Sequence, residues 1–252
     1  VTKSARLSVV LCLLLALGLA GCGSSDQDKQ SIVVFAAASL KKSFTEIGER
    51  FKAGNPSSSV DFNFAGSADL VTQLAQGAKA DVFASADTKN MVKAEQAELV
   101  AGKPVNFASN RLTIVTAPGN PKRVASFADL TTPGVSVVVC ASEVPCGSAT
   151  DRVENVTKIE LRPVSEETSV TDVLNKVTSG QADAGVVYVT DALAAGDKVA
   201  TVNFVESVAA VNTYPIAVLK DAPKPDLAKK FVDLVTGEYG QKVLSEAGFA
   251  KP

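Results

Sequence analysis

The stretch that most constrains the fold is residues 32–51, where a strand gives way directly to a helix. Ile32-Val33-Val34-Phe35 is a short, unbroken apolar run rich in β-branched residues, which reads as a buried strand. Ala36, Ala37 and Ala38 follow, then Ser39. Beyond it Leu40, Phe44, Ile47 and Phe51 recur at helical spacing, with Lys41, Lys42, Glu46, Glu49 and Arg50 between them. The pattern predicts an amphipathic helix with Ser39 at its N-cap. A helix start presents free backbone N–H groups and a positive dipole end, so it can seat an anion. The alanines let a ligand approach the backbone. A capping box would place Glu or Gln at position 42; Lys42 stands there, so no local carboxylate competes for those N–H groups. The same stretch also fits an ordinary Ser-capped helix that binds nothing.

The arrangement returns once. Residues 60–64 alternate apolar and polar as in a strand, Ala65-Gly66-Ser67 turns the chain, and Leu70, Val71 and Leu74 mark a second helix closed by Gly77. Asp69 in its first turn suits the helix dipole, yet would repel an anion if it faced one. Residues 80–87 read as strand, turn and helix start, continuing helical from Met91 to Ala97; strands are further expected at 112–116, 135–140, 184–189 and 214–219, with an extended segment at 199–205. Helices are expected from Pro145 to about Val156, from Thr168-Ser169 to Gly180 with Val170, Val173, Leu174 and Val177 on one face, at Thr190-Asp191, over 224–238, and from Gly240 to Ala247. Strands alternating with helices predict an α/β fold with mainly parallel sheets.

Composition narrows the chemistry. The 252 residues include no His and no Trp. Without His, the commonest general base and the commonest zinc ligand are both missing, which argues against a hydrolase or a metalloenzyme. Lys3 and Arg6 precede an apolar run, Leu7 to Leu19, that is short for a membrane span and ends in Leu19-Ala20-Gly21-Cys22. This resembles the bacterial lipobox, so residues 1–21 are expected to be a signal peptide, Cys22 the acylated new N-terminus, and 22–30 a polar tether. Loss of the leader takes two of the 25 basic residues and no acid, leaving 23 against 27, a net charge of −4. Nothing in that balance suggests a nucleic-acid surface. An anion would have to be held by local dipoles. Cys12 leaves with the leader. Cys140 and Cys146, six residues apart, are expected to form a disulfide outside the membrane; a redox or metal pair would want a tighter spacing or a His partner.

Five motifs then carry a resemblance. Val34-Phe35-Ala36-Ala37-Ala38-Ser39-Leu40, Phe64-Ala65-Gly66-Ser67, Ala80-Asp81-Val82-Phe83-Ala84-Ser85-Ala86-Asp87, Val144-Pro145-Cys146-Gly147 and Gly185-Val186-Val187-Tyr188 occur in the order and spacing of the molybdate-binding proteins of ABC importers. The resemblance runs from about Ile32 to the end. It implies a two-lobed periplasmic-binding-protein fold of type II, with lobe one at 31–108 plus 214–252 and lobe two at 109–213. The lobes would be joined by crossover segments 106–108 and 212–214. It implies an oxyanion held by neutral donors: the hydroxyls of Ser39 and Ser67, backbone N–H groups at Cys146 and Val170, and the phenol of Tyr188. Cys146 stands where the family has Ala, and the Ser67 loop carries fewer serines than is usual. The implied protein is a lipid-anchored monomer on the extracytoplasmic face of the membrane. It would not be an enzyme and would need no cofactor. It would capture molybdate, and also tungstate, for a permease driven by an ATPase.

The chemistry agrees with a neutral site. A dianion taken from water needs its oxygens hydrogen-bonded, and helix starts supply donors without a buried countercharge. The alternatives are a binder of the same fold for sulfate, phosphate or an organic solute, a thiol enzyme using Cys146, and an adhesion or structural lipoprotein. A carboxylate in the cleft would favour phosphate; a free, alkylatable Cys146 would favour the enzyme. With no His, ligand affinity is expected to be flat between pH 6 and 8.

Overall fold

The computed structural model describes residues 30–252. The expected leader, Cys22 and the tether up to residue 29 lie outside the described residues; Gln30, assigned to the tether, already belongs to the first strand.

The chain opens as two βαβαβα runs. The first is β1 (Gln30–Ala37), α1 (Lys41–Gly54), β2 (Ser58–Ala65), α2 (Ser67–Ala75), β3 (Val82–Ala84) and α3 (Thr88–Gln96). After β4 (Val105–Asn110) and β5 (Leu112–Thr116) comes the second: β6 (Val137–Cys140), α4 (Pro145–Thr157), β7 (Ser165–Glu167), α5 (Val170–Thr178), β8 (Ala184–Tyr188) and α6 (Val189–Ala195). The chain ends with β9 (Ala200–Val202), β10 (Asn212–Val218), α7 (Pro225–Thr236) and α8 (Glu238–Glu246). Two five-stranded sheets result, in the orders β2-β1-β3-β10-β4 and β7-β6-β8-β5-β9. They share one plan: three parallel strands from a βαβαβα run, then two antiparallel strands supplied from elsewhere in the chain. The parallel pairings expected from strand–helix alternation therefore fill half of each sheet, and the other half is antiparallel.

Both faces of the first sheet are covered, so its strands are apolar on both sides. In β1, Ile32, Val34 and Ala36 join the cluster of Leu40 just before α1, Phe44, Ile47 and Phe51 from α1, and Phe231 and Val235 from α7. Phe35 faces the other way, toward Leu70, Val71 and Leu74 of α2 and Met91 of α3. Phe231 makes edge contacts with Phe44, Phe51 and Phe62 at centroid distances of 5.7–6.0 Å. The second sheet forms its own core with α4 and α5. Gly185 of β8 lets α5 lie close: a Cβ there would stand 2.8 Å from a methyl of Val173.

The chain changes sheet at Arg111, between β4 and β5, and returns between β9 and β10. The joining segments expected at 106–108 and 212–214 lie within β4 and β10, which are antiparallel neighbours with Asn110 opposite Asn212. The crossings are thus held as a pair. The C-terminal tail fixes them further, through the Ser109–Ala250 bridge and a hydrogen bond from Ser109 Oγ to the Lys251 carbonyl.

Candidate functional site

In open α/β sheets, ligands collect beyond the C-terminal ends of parallel strands. Here two sets of such ends face each other. From the first sheet come the ends of β1 (Ala37, Ala38, Ser39), β2 (Ala65, Gly66, Ser67) and β3 (Ala86). From the second come the turns after β6 (Val144, Pro145, Cys146) and β7 (Val170), and the end of β8 (Tyr188). Together these twelve residues line a small cavity. All five residues expected at the site line it, and no lining residue is charged.

Three helix starts meet there. Cys146 is the second residue of α4, whose first is Pro145, a residue suited to that position because the missing N–H would find no intrahelical partner anyway. Val170 is the first residue of α5, behind the N-cap Ser169, which accepts the Asp172 N–H. Ser67 is the first of α2. The N–H groups of a first helical turn have no intrahelical acceptor, and the dipoles add positive potential at the same point.

Ser39 departs from its expected place. It is not the N-cap of α1; it sits inside a 3-10 turn, Ala38–Leu40, that leads into the helix. Its hydroxyl makes no cap bond and lies 3.0 Å from the Tyr214 hydroxyl instead. Ser67 is likewise one residue past its N-cap, Gly66, and its Oγ accepts the Ala86 N–H at 3.0 Å. Freed from capping, both side chains can serve the cavity.

The direction of each hydroxyl proton follows from its neighbours. Asn110 Oδ1 accepts the Arg111 N–H, which fixes the amide so that Nδ2 donates to Thr190 Oγ1 at 2.8 Å and to Tyr214 Oη at 3.4 Å. Tyr214 then has its one proton for Ser39, and Ser39 has its own for the cavity. Ser67, accepting from Ala86, also keeps its proton for the cavity. Tyr188 Oη accepts from Asn212 Nδ2 at 2.7 Å. The site therefore presents donors. Asn110, Asn212 and Tyr214 were not among the expected site residues; an Asn in a strand carries no signal until its strand partner is known.

Burial holds both phenols neutral: it pushes the Tyr188 and Tyr214 hydroxyls well above their usual range. Asp191 is different. It is largely buried in the first turn of α6 and accepts the Tyr188 N–H at 3.1 Å. Desolvation pushes its carboxyl up to about 7, against the lowering effect of that bond. A carboxyl raised toward neutrality thus stands beside Tyr188, a group that the pH-flat expectation did not count. Asp191 lines a second, larger groove of about 640 Å³, open to solvent, that runs past Lys41 and Lys42 to Phe249. Asp69 faces a third recess with Lys41 and Asp172. Neither carboxylate lines the small cavity, and the small cavity, not the larger groove, is where the helix starts and hydroxyls converge.

Cys146 is bonded to Cys140 at an S–S distance of 2.03 Å, closing the loop between β6 and α4. No free thiol remains there to act as a nucleophile, so the thiol-enzyme alternative loses its reactive group. Among the described residues, no group of three or more His, Cys, Asp or Glu could hold a metal ion.

The chain is 58% identical to the molybdate-binding protein ModA of Mycobacterium tuberculosis, over 95% of each chain. It superposes on a substrate-binding domain of a putative molybdenum ABC transporter from Clostridium difficile with TM-score 0.65 and 31% identity, covering 88% of this chain and 99% of that one. The periplasmic molybdate-binding protein of Azotobacter vinelandii shares the fold, with TM-score 0.76 at 19% identity over 88% and 99% of the two chains. The family model for bacterial extracellular solute-binding proteins matches residues 32–250, and the chain is a member of that family, built on the two-lobed type II fold.

Proposed function

We propose that the cavity binds molybdate, and tungstate with it, through Ser39, Ser67, Tyr188 and the backbone N–H groups of Cys146 and Val170, and that the protein delivers the anion to an ABC permease and its ATPase. The observation that carries this reading is a small, uncharged cavity in which hydroxyl donors and helix starts converge. Such a shell satisfies the oxygens of a fully deprotonated tetrahedral anion and costs no buried countercharge. A phosphate that keeps a proton needs an acceptor, and no carboxylate lines the cavity. Sulfate has the same charge and shape as molybdate; a rigid shell sized to the larger ion leaves some donors out of its reach, at about 1 kcal/mol or more for each.

The lobes would be 31–108 plus 214–252 and 109–213, closing on the ligand about the crossings. Attachment through an acylated Cys22 rests on the Leu19–Cys22 motif and places the protein on the extracytoplasmic face of the membrane. Calorimetric titration with molybdate, tungstate, sulfate and phosphate tests the central reading: the first two should bind most tightly, and equal affinity for sulfate would make the site a general anion binder. Replacing Cys22 by Ala should release the protein from membranes; retention after leader cleavage would refute the anchor.

A further inference from the structure

We propose that Arg152 and Asn212 are positioning residues that fix the direction of the Tyr188 proton and so set which protonation state of an oxyanion the cavity accepts. The proposal rests on the reading of the cavity as an oxyanion site and extends it to residues that do not touch the ligand.

Asn212 is buried at the start of β10, where the chain returns from the second sheet to the first. Its amide is held from three sides. The Arg152 guanidinium donates to Oδ1. Nδ2 donates to the Pro145 carbonyl at 3.1 Å and to Tyr188 Oη at 2.7 Å. A guanidinium can only donate, and a carbonyl can only accept. The amide therefore cannot turn over without breaking both outer bonds. Tyr188 Oη must accept from Asn212, and its single proton must point elsewhere. The neighbouring Tyr214 oxygen could take that proton, but a charged ligand oxygen is the stronger acceptor.

Arg152 adds charge as well as orientation. Its remaining bonds go to neutral groups: the Ser148 carbonyl and hydroxyl, and the Ala210 carbonyl. Among the described residues no carboxylate lies within ion-pair distance of it. Its positive charge polarises the Asn212 amide toward Tyr188 and, through the phenol, toward the cavity. The cavity thus gains a cation at two removes while its wall stays neutral.

The consequence is selectivity against ligands that bring a proton. Asn212→Asp keeps the shape and turns the bond to Arg152 into an ion pair. It replaces the donor at Tyr188 by an acceptor, so the phenol proton turns away and a lone pair faces the cavity. Affinities for molybdate and inorganic phosphate are measured by calorimetry at pH 6 on the wild type, Asn212→Asp and Arg152→Gln, with melting temperatures as the fold control. Asn212→Asp should lose molybdate affinity and narrow the molybdate-to-phosphate ratio by at least about tenfold, the discrimination expected from reversing one buried hydrogen bond. Arg152→Gln, which can still donate to Asn212, should weaken molybdate by at least about threefold through loss of charge, with the ratio kept. A folded Asn212→Asp with an unchanged ratio would overturn the proposal. Should that variant not fold, unchanged molybdate affinity in Arg152→Gln would overturn it alone. A wild type that does not bind molybdate would sink the ligand reading itself and the proposal with it; that control separates the two failures.

Discussion

Gly66 and Thr168 meet across the cleft with no room for a side chain between them: a Cβ on Gly66 would lie 2.0 Å from the Thr168 carbonyl oxygen. Gly66 follows β2 of the first sheet, and Thr168 follows β7 of the second. The backbone of Gly66 is extended, at φ −60° and ψ 139°, a conformation open to any residue. Gly66→Ala therefore brings no local strain; it opposes only the approach of the two sheets. The variant should melt close to the wild type without ligand and bind molybdate more weakly by roughly 5- to 150-fold, the range of a 1–3 kcal/mol overpacking cost. Scattering should show less ligand-induced compaction. Wild-type affinity in Gly66→Ala would mean that this approach plays no part in binding.

Ser39→Ala and Ser67→Ala should each weaken binding by roughly 1.5–3 kcal/mol, because each leaves a charged ligand oxygen short of a donor. The two should differ in stability. Ser67 Oγ is the acceptor for the buried Ala86 N–H, so its loss leaves that group unpaired, at about 1–3 kcal/mol. Ser39 is only half-buried, and its partner Tyr214 retains Asn110. Thermal melts of the two ligand-free variants should thus place Ser67→Ala below Ser39→Ala. The reverse order would contradict the assigned bonds.

What could be read from the sequence follows its periodicities. Phe44, Ile47 and Phe51 form the buried face of α1, continued by Leu40 in the turn before it, and Leu70, Val71 and Leu74 that of α2, as their spacing requires. β7, which reads Ser165-Glu166-Glu167, has no apolar residue to announce it and exists by pairing with β6. Ser39 was misplaced by one short turn, since a 3-10 start leaves the same apolar spacing as a capped α-helix. The lining residues converge where local motifs put them, but Asn110, Asn212 and Tyr214 act through ladder partners far away in the chain. Asp191 read only as part of the start of a short helix; the burial that pushes its carboxyl up to about 7 comes from tertiary packing.

Reduction of the Cys140–Cys146 bond should weaken binding more than it weakens the fold. A loop this short contributes on the order of 2 kcal/mol of chain-entropy stabilisation. Its position matters more: it fixes the turn that presents the Cys146 N–H. Gly147 fits so tightly behind this turn that a Cβ there would stand 1.9 Å from the Ala141 carbonyl oxygen. A freed Cys146 thiol, with a reference pKa of about 8.5, also begins to ionise near pH 8 and would repel a dianion. Titration of Cys140→Ser should show weaker molybdate binding that declines further toward pH 9. Affinity equal to that of the oxidised wild type would leave the bridge without a role in the site.

Asp191 makes both stability and binding depend on pH. Its folded pKa, about 7, lies above the ordinary 3.8, because burial disfavours the charged form. The folded state therefore holds a proton that the unfolded state has released between pH 4 and 7. Stability from this group falls as pH rises through that window and levels off above 7, where the carboxylate must be buried charged. The shift is of the order of three pKa steps, or up to about 4 kcal/mol. Asp191→Asn keeps an acceptor for the Tyr188 N–H and removes the charge. It should raise the melting temperature by several degrees at pH 8 and leave it near the wild type at pH 4. Binding follows the same sign: a dianion held by Tyr188 repels an ionised Asp191, so molybdate affinity should fall from pH 6 to 8 in the wild type, with proton uptake on binding. In Asp191→Asn the profile should be level. A level profile in the wild type would show that Asp191 keeps one charge state across that range, and a wild-type slope surviving in Asp191→Asn would place the titrating group elsewhere.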